Sequence, residues 1–299
     1  LEDYMRSRAT ELLEQMIADG SPAEYVSAFA FPLPAEIVIR FIGFPPDDDT
    51  MIKTWCGNRK AFTWGKPTAE EQTEIAVGML EYWRYCGDYF AQRRDERRDE
   101  FTSELLDAHD ADPDPSNGTG ISYREVESVV YGISFAGHDP VTALLCNTLR
   151  CLLPRRDQWD ALCADPSLAA AAVEETLRFE SSQVSWRRVT TEDTELGGVH
   201  LPAGTKLFLN FASANHEPGT FDDPDTFDIH RASANKHISF GKGIHFCLGS
   251  GLARMEARIA LELLSQRLPS LRLVEGQTPV FFPNITFRGP DALHLEWDR

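Results

Sequence analysis

No two of the six cysteines, Cys56, Cys86, Cys146, Cys151, Cys163 and Cys247, are spaced as C-x-x-C. Neither a paired-cysteine zinc site nor a thioredoxin-like redox motif is therefore encoded locally. Several of these cysteines sit in apolar helical contexts, which fits reduced, buried thiols of a cytoplasmic protein. There is no run of about 18 apolar residues, the length that a membrane-crossing helix needs. The first residues, LEDYMRSRATELLEQM, lack the basic start and apolar core of a signal peptide and read as an amphipathic helix. No internal repeat and no G-x-G-x-x-G after a strand occurs. Positive charge is scarce: 29 Lys and Arg against 47 Asp and Glu leave a net charge of −18. That balance argues against broad nucleic-acid or membrane binding, both of which need basic surface.

What is present suffices for a globular core. Hydrophobic residues make up 42% of the 299, enough for a substantial core. Length permits one large domain or two ordinary ones. Helical patterns dominate to about residue 180. They include 1–19, a short helix from near Pro34 stopped by Gly43 and Pro45, and a long polar–apolar helix over 69–97. DADPDPSNGTG, 110–120, is a surface loop. Ser122 and Glu125 have capping-box spacing and open a helix that is apolar on most sides, VVYGISFAGHDPVTALLCNTLRCLL. Asp165 and Pro166 open another. After residue 183 come β-rich stretches broken by Gly197-Gly198 and Pro202–Gly204, then an irregular segment, a helix over about 249–267 and a short hairpin region. The fold class is mainly α with small β-sheets.

The chemistry concentrates in FGKGIHFCLG, residues 240–249. A phosphate cradle needs G-x-x-x-x-G-K-[ST] after a strand, and the spacing here fails. Zinc needs four ligands; His245 and Cys247, with His237 and His230 near, lack a second close cysteine. A nucleophilic cysteine before a helix is chemically sensible, but no base partner is identifiable. A thiolate bound to haem iron accounts for the whole loop. Glycines let backbone lie against a flat macrocycle, and a following helix N-terminus favours the thiolate. Such a ligand pushes electron density onto iron and favours O–O cleavage.

Phe240, Gly241, Gly243, His245, Cys247 and Gly249 fit F-x-x-G-x-[HR]-x-C-x-G, and the loop thereby resembles the cysteine loop of cytochromes P450; Leu252, Ala253, Arg254 and Glu256 continue the likeness. Glu175-Thr176-Leu177-Arg178 is similar to the family's E-x-x-R, whose two charges share a helix face. In the family they lock with an arginine such as Arg231, in FDIHR, as structural support of the haem loop. SWRRVTTEDTELGGVHLPAG resembles the following segment of bacterial members, which assigns a haem propionate to Arg188; His245 could meet a propionate too. SFAGHDPVTALL resembles the helix that crosses the haem, with the pattern [AG]-G-x-[DE]-T-T. Ala136 and Gly137 would let that helix approach the oxygen site, and Asp139 would be the acid of the proton relay.

Pro140 departs from the pattern, which has threonine there. Proline brings no hydroxyl, and within a helix it kinks the axis and frees the carbonyl of Ala136. Thr142 lies two positions on, about 200° around at about 100° per residue, and replaces the lost hydroxyl only if the kink re-aims it. The likeness covers essentially the whole chain, and haem domains naturally fused to a flavin and iron–sulfur reductase are similar. It implies a cytochrome P450 fold in a single haem domain over 1–299, N-terminally incomplete by about a hundred family residues.

The implied cofactor is haem b. The implied activity is insertion of one oxygen atom from O2 into a small organic substrate, with electrons from NAD(P)H through a ferredoxin-type partner or a flavin/iron–sulfur reductase. Peroxide-driven oxidation on the same scaffold and a non-catalytic haem protein are the alternatives. Arg231, Lys236, Lys242, Arg254 and Arg258, opposed in sequence only by Glu256, suggest a basic docking face near Cys247, or simply a solvated loop. Ile133, Phe135, Val184, Trp186 and 281–285 suggest an apolar, aromatic-lined pocket, and read equally well as core.

Overall fold

A computed structural model describes residues 1–298, the side chains of residues 58–60, 63 and 64 aside. Its contacts divide the chain into two compact units, Leu1–Leu12 with Ser27–Thr142, and Leu13–Val26 with Ala143–Arg299.

The elements run in order α1 (Glu2–Asp19), β1 (Ala23–Glu24), α2 (Pro32–Ile42), α3 (Asp49–Trp64), α4 (Ala69–Asp95), α5 (Phe101–Ala111), α6 (Tyr123–Ala136), α7 (Asp139–Leu152), α8 (Arg156–Ala164) and α9 (Ala169–Phe179). Four strands follow, β2 (Ser185–Val189), β3 (Thr194–Leu196), β4 (Val199–Leu201) and β5 (Lys206–Asn210). Then come α10 (Phe211–Ala214), α11 (Ser250–Arg267), β6 (Arg272–Leu273) and β7 (His294–Glu296).

The first unit is helical. Its α2, α3, α4 and α5 all pack on α6. Val38, Ile42, Phe44, Ile52, Tyr82, Tyr89, Phe90, Leu106, Val126 and Val130 form its buried core, each large side chain contributing about 1.5–3 kcal/mol of burial. Local rules set the helix limits. Thr68 with Glu71, and Ser122 with Glu125, make reciprocal capping boxes at α4 and α6. Gly43 ends α2 in the left-handed region at φ 97°. A Cβ on Gly43 would also lie 1.9 Å from a carboxylate oxygen of Glu100, which is itself ion-paired at 2.6 Å to the buried Arg93.

The apolar run after Ser122 does not make one helix. It breaks at Gly137-His138, and Pro140 then sits in the first turn of α7. Proline is tolerated there because the first N–H groups of a helix need no intrahelical partner. The expected kink inside a continuous helix is thus corrected: the chain starts a new helix instead. Among the described residues Tyr123–Leu152 is the one stretch long and apolar enough to cross a membrane by length and composition, and 56% of that window is buried, as in a core helix.

In the second unit α9 and α8 pack against α11. Trp159 is buried there, its indole N–H donating to the Pro269 carbonyl at 2.9 Å. Strands β2 and β5 pair antiparallel, placing Arg188 opposite Leu207. Strands β3 and β4 form a hairpin about Gly197-Gly198, both at positive φ, the backbone a two-residue turn requires. The expected C-terminal hairpin is instead a three-stranded sheet in the order β1-β7-β6. Its β1, only two residues long, carries no sequence pattern.

Candidate functional site

The loop 240–249 is held by its own backbone. Cys247 N–H donates to the Phe240 carbonyl at 2.9 Å, Phe246 N–H to Gly243 at 3.0 Å and Gly241 N–H to Ile238 at 2.8 Å. Gly241 and Gly243 stand at φ 72° and 69°, where other residues are strained. Gly249 has an ordinary φ of −83°, and a Cβ there would meet no protein atom within 4 Å. Neither the turn nor the packing explains that glycine, and its bare backbone leaves room for a flat group to lie against it.

Around the half-buried Cys247 the apolar side chains point outward: Ile244 is 98% exposed, Leu248 76% and Phe246 53%. Burial pushes the Cys247 thiol up, while the Gly249 N–H and the Arg254 charge pull the other way without reversing it. A solvent-accessible thiol ringed by exposed apolar groups and open glycine backbone fits a flat, apolar, metal-bearing cofactor. A metal held there would favour the thiolate that the surroundings alone disfavour. His245 is exposed on the same loop.

Behind the loop stands a buried charge lock on α9. Arg178 donates to both Glu175 oxygens, at 2.8 and 2.7 Å, and both residues are fully buried. Its remaining N–H groups reach the carbonyls of Pro224, Asn215 and Thr226 at 2.8–3.1 Å. Arg231 Nε joins Glu175 at 3.1 Å and also binds the carbonyls of Asp222, Asp223 and Thr226. The structure thus brings Glu175, Arg178 and Arg231 together on one carboxylate.

Sequence reasoning missed two supports beside them. Asn215, fully buried, accepts from Ile238 N–H and donates to Ser239 Oγ, both at 2.8 Å. Glu174 pairs with Arg254 and His237. Burial alone would raise the Glu174 carboxyl, but its bonds from His237 and Arg254 outweigh that and hold it at about 2. No local spacing announces either residue, because their partners lie far along the chain.

Arg188 is half-buried on β2 and donates to the Arg187 carbonyl at 2.9 Å. In the first unit, Ala136 is exposed at the end of α6. Gly137 leaves room for α2: a Cβ there would lie 2.4 Å from Val38 Cγ2. His138 is buried, its Nδ1 3.2 Å from the Ser134 carbonyl and its Nε2 3.7 Å from Asp139 Oδ1. Pro140 and Thr142 lie in the one regular helix α7, so they stay about 200° apart and the break upstream does not swing Thr142 into the position of residue 140. The Thr142 hydroxyl is buried with no hydrogen-bond partner among the described residues.

The basic face is smaller than its sequence suggests. Arg231 is spent on Glu175, Arg254 on Glu174 and Arg258 on Glu262. Lys236 and Lys242 remain exposed without an ion pair among the described residues. Glu256 does not oppose them, since it is buried with neither carboxyl oxygen bonded and burial pushes its pKa well up. Phe281 is pinned between the guanidinium groups of Arg150 and Arg288, 4.7 and 4.5 Å from its ring, a packing role.

Comparison with known proteins adds to this geometry. The sequence model described as "Cytochrome P450" matches residues 84–283. The biotin biosynthesis cytochrome P450 of Bacillus subtilis (strain 168) is 34% identical over 300 residues, covering 99% of this chain and 73% of its own. The structure of cytochrome P450 CREJ in complex with (4-ethylphenyl) dihydrogen phosphate superposes with a TM-score of 0.92 at 36% identity, over 100% of this chain and 73% of that one. An intact type IV self-sufficient cytochrome P450 monooxygenase gives 0.93 at 34%, over 99% of this chain and 38% of that one.

Proposed function

The chain belongs to the cytochrome P450 family, and from that premise we propose that it is a haem-thiolate monooxygenase inserting one oxygen atom from O2 into a small apolar or aromatic substrate. The observation that carries the proposal is the cysteine loop: a half-buried thiol among exposed apolar side chains, following a segment that the buried Glu175–Arg178–Arg231 lock reaches through Asn215.

When bound, haem b would supply the activation of oxygen, and Cys247 would hold its iron as a thiolate, the ligand type that favours O–O cleavage. The chain's residues supply the rest. Phe240, Gly241 and Gly249 offer ring and bare backbone for the macrocycle to lie against. Arg188 and His245 would take its propionates, the first as a permanent cation. Glu175, Arg178 and Arg231 hold the loop so that Cys247 stays at one position. Ala136 and Gly137 would, as the family pattern implies, keep bulk away from where oxygen binds. Asp139, in the first turn of α7 and beside His138, holds a proton-exchanging carboxyl there. Pro140 supplies no hydroxyl, so protons would pass onward from Asp139 by water held at Ala136 and Asp139 or through a substrate hydroxyl.

Electrons come from a ferredoxin-type protein or a flavin/iron–sulfur reductase docked near Cys247. Lys236 and Lys242, the exposed unpaired cations of that stretch, support this. The six free thiols support a cytoplasmic location. An aromatic ligand in the CREJ complex supports the substrate class.

The test is NADH- and O2-dependent oxidation of alkyl-substituted aromatics with a ferredoxin and its reductase. Product under those conditions is the expected result. A peroxide-driven reaction is the second reading, favoured by Pro140; product with hydrogen peroxide and none with NADH would establish it instead. Loss of both, with haem bound, would mark a non-catalytic haem protein.

A further inference from the structure

Glu174 has no part in the E-x-x-R lock, which uses its neighbour Glu175. Adjacent helix residues point about 100° apart, so Glu174 faces a different set of partners. Arg254 of α11 reaches it with Nε at 2.5 Å and Nη2 at 3.2 Å. His237 Nε2 lies 3.3 Å from Glu174 Oε2, the oxygen that also receives Arg254 Nη2. The tautomer of His237 follows from its second nitrogen: Nδ1 accepts the Ser239 N–H at 3.1 Å, so the proton sits on Nε2 and points at Glu174. His237 is buried, and the Glu174 side chain is only 20% exposed.

Both partners converge on one ring. The Arg254 guanidinium lies over Phe240 at 4.5 Å, a cation–π contact, and the His237 ring is 5.8 Å from the same ring. The Phe240 carbonyl is the acceptor of the Cys247 N–H. One carboxylate on α9 is therefore tied, through two side chains and one aromatic ring, to the residue that fixes the backbone of Cys247. A mere clip between α9 and α11 would need Arg254 alone. It would not need a histidine held in one tautomer, nor the stacking on Phe240.

We propose that Glu174 is a positioning residue for Cys247, acting through His237, Arg254 and Phe240. Its effect on the sulfur's ligation rests on the haem-thiolate reading above; its effect on the loop does not. The variants are Glu174→Gln, which keeps the shape and removes the charge, and Arg254→Gln, which leaves Glu174 and His237 in place but removes the stacked cation. Glu174→Asp is the conservative rescue. Glu262→Gln is the comparator, since it breaks an ion pair of similar length on the same helix.

Three quantities are read on the purified full chain: amide hydrogen exchange over 240–247, the absorption of the reduced CO-bound protein, and Tm. Exchange at Cys247 is expected to quicken about tenfold or more in Glu174→Gln and Arg254→Gln, the scale of a lost charged hydrogen bond. A substantial fraction of the thiolate band should move to the displaced position in both, with partial recovery in Glu174→Asp. Glu262→Gln should leave loop and band as in the wild type. If Glu174→Gln lowers Tm while loop exchange and band stay unchanged, Glu174 is only a helix clip and the proposal is overturned. If the wild type has no thiolate band, the haem-thiolate reading fails, and loop exchange alone still decides whether Glu174 holds the loop.

Discussion

The cysteine loop and the Ala136–Pro140 segment are the two places where chemistry is expected, and they are built by opposite means. Around the loop, buried charge is answered several times over: Glu175 receives Arg178, Arg231 and the Asp228 N–H, and Glu174 receives His237 and Arg254. The Ala136–Pro140 segment is shaped chiefly by packing, through a glycine against Val38 and a proline that starts a helix, with His138 bonded to the Ser134 carbonyl beside them. A loop that must hold one atom in place is over-determined by charge. A helix break needs only a small residue and a residue without an N–H.

The sharpest way to break this contrast is to unpair the lock. Glu175→Gln leaves two buried guanidinium groups short of their counter-charge, and is expected to cost about 3–5 kcal/mol, measured by denaturant unfolding. A loss under 1 kcal/mol would mean that the carbonyl bonds to Arg178 and Arg231 suffice. Next is Gly137→Ala, which drives a methyl into Val38 and should cost about 1–3 kcal/mol without any effect on ligation at Cys247. A neutral result would free Gly137 from its packing role.

Two carboxyls of the second unit should respond to pH with opposite sign. Glu174 is held down to about 2 from an ordinary 4.5, so its contribution is present above 4.5 and is lost as pH falls toward 2. The acid limb of stability should flatten in Glu174→Gln. Glu256 is pushed up by burial, so its contribution is present below 4.5 and is lost as pH rises. Glu256→Gln should therefore gain stability on the wild type between pH 4.5 and 7. Parallel curves for the two variants would contradict both assignments.

The smallest expected change in stability is that of Pro140→Thr. Pro140 already sits in a first turn, so folding should shift by less than about 1 kcal/mol. Product formed per NADH consumed should nevertheless rise, because a hydroxyl returns beside Asp139. Unchanged coupling would show that the missing threonine is not what limits proton delivery.

Much of this was legible before any coordinates, and what was legible shares one property, short sequence range. The capping box at Ser122, the glycines of the cysteine loop and the spacing of Glu175 and Arg178 are local rules. The family resemblance carried Arg231 across a longer gap. Glu174, His237 and Asn215 stayed hidden because each is defined by a partner dozens of residues away. The break at Gly137-His138 was placed at Pro140 instead, since proline reads as a breaker until its position in the first turn is known. The basic face was overcounted for the same reason: a sequence shows charges, and only packing shows that Arg231, Arg254 and Arg258 are already paired.

The claim on which the account turns is that Cys247 holds haem iron as a thiolate. The direct measurement is the absorption spectrum of the reduced, CO-bound protein, wild type beside Cys247→Ala. The account predicts a band at the thiolate-diagnostic position in the wild type and its complete loss in the variant. A wild type that takes up haem without that band, or a variant that keeps it, would contradict the account.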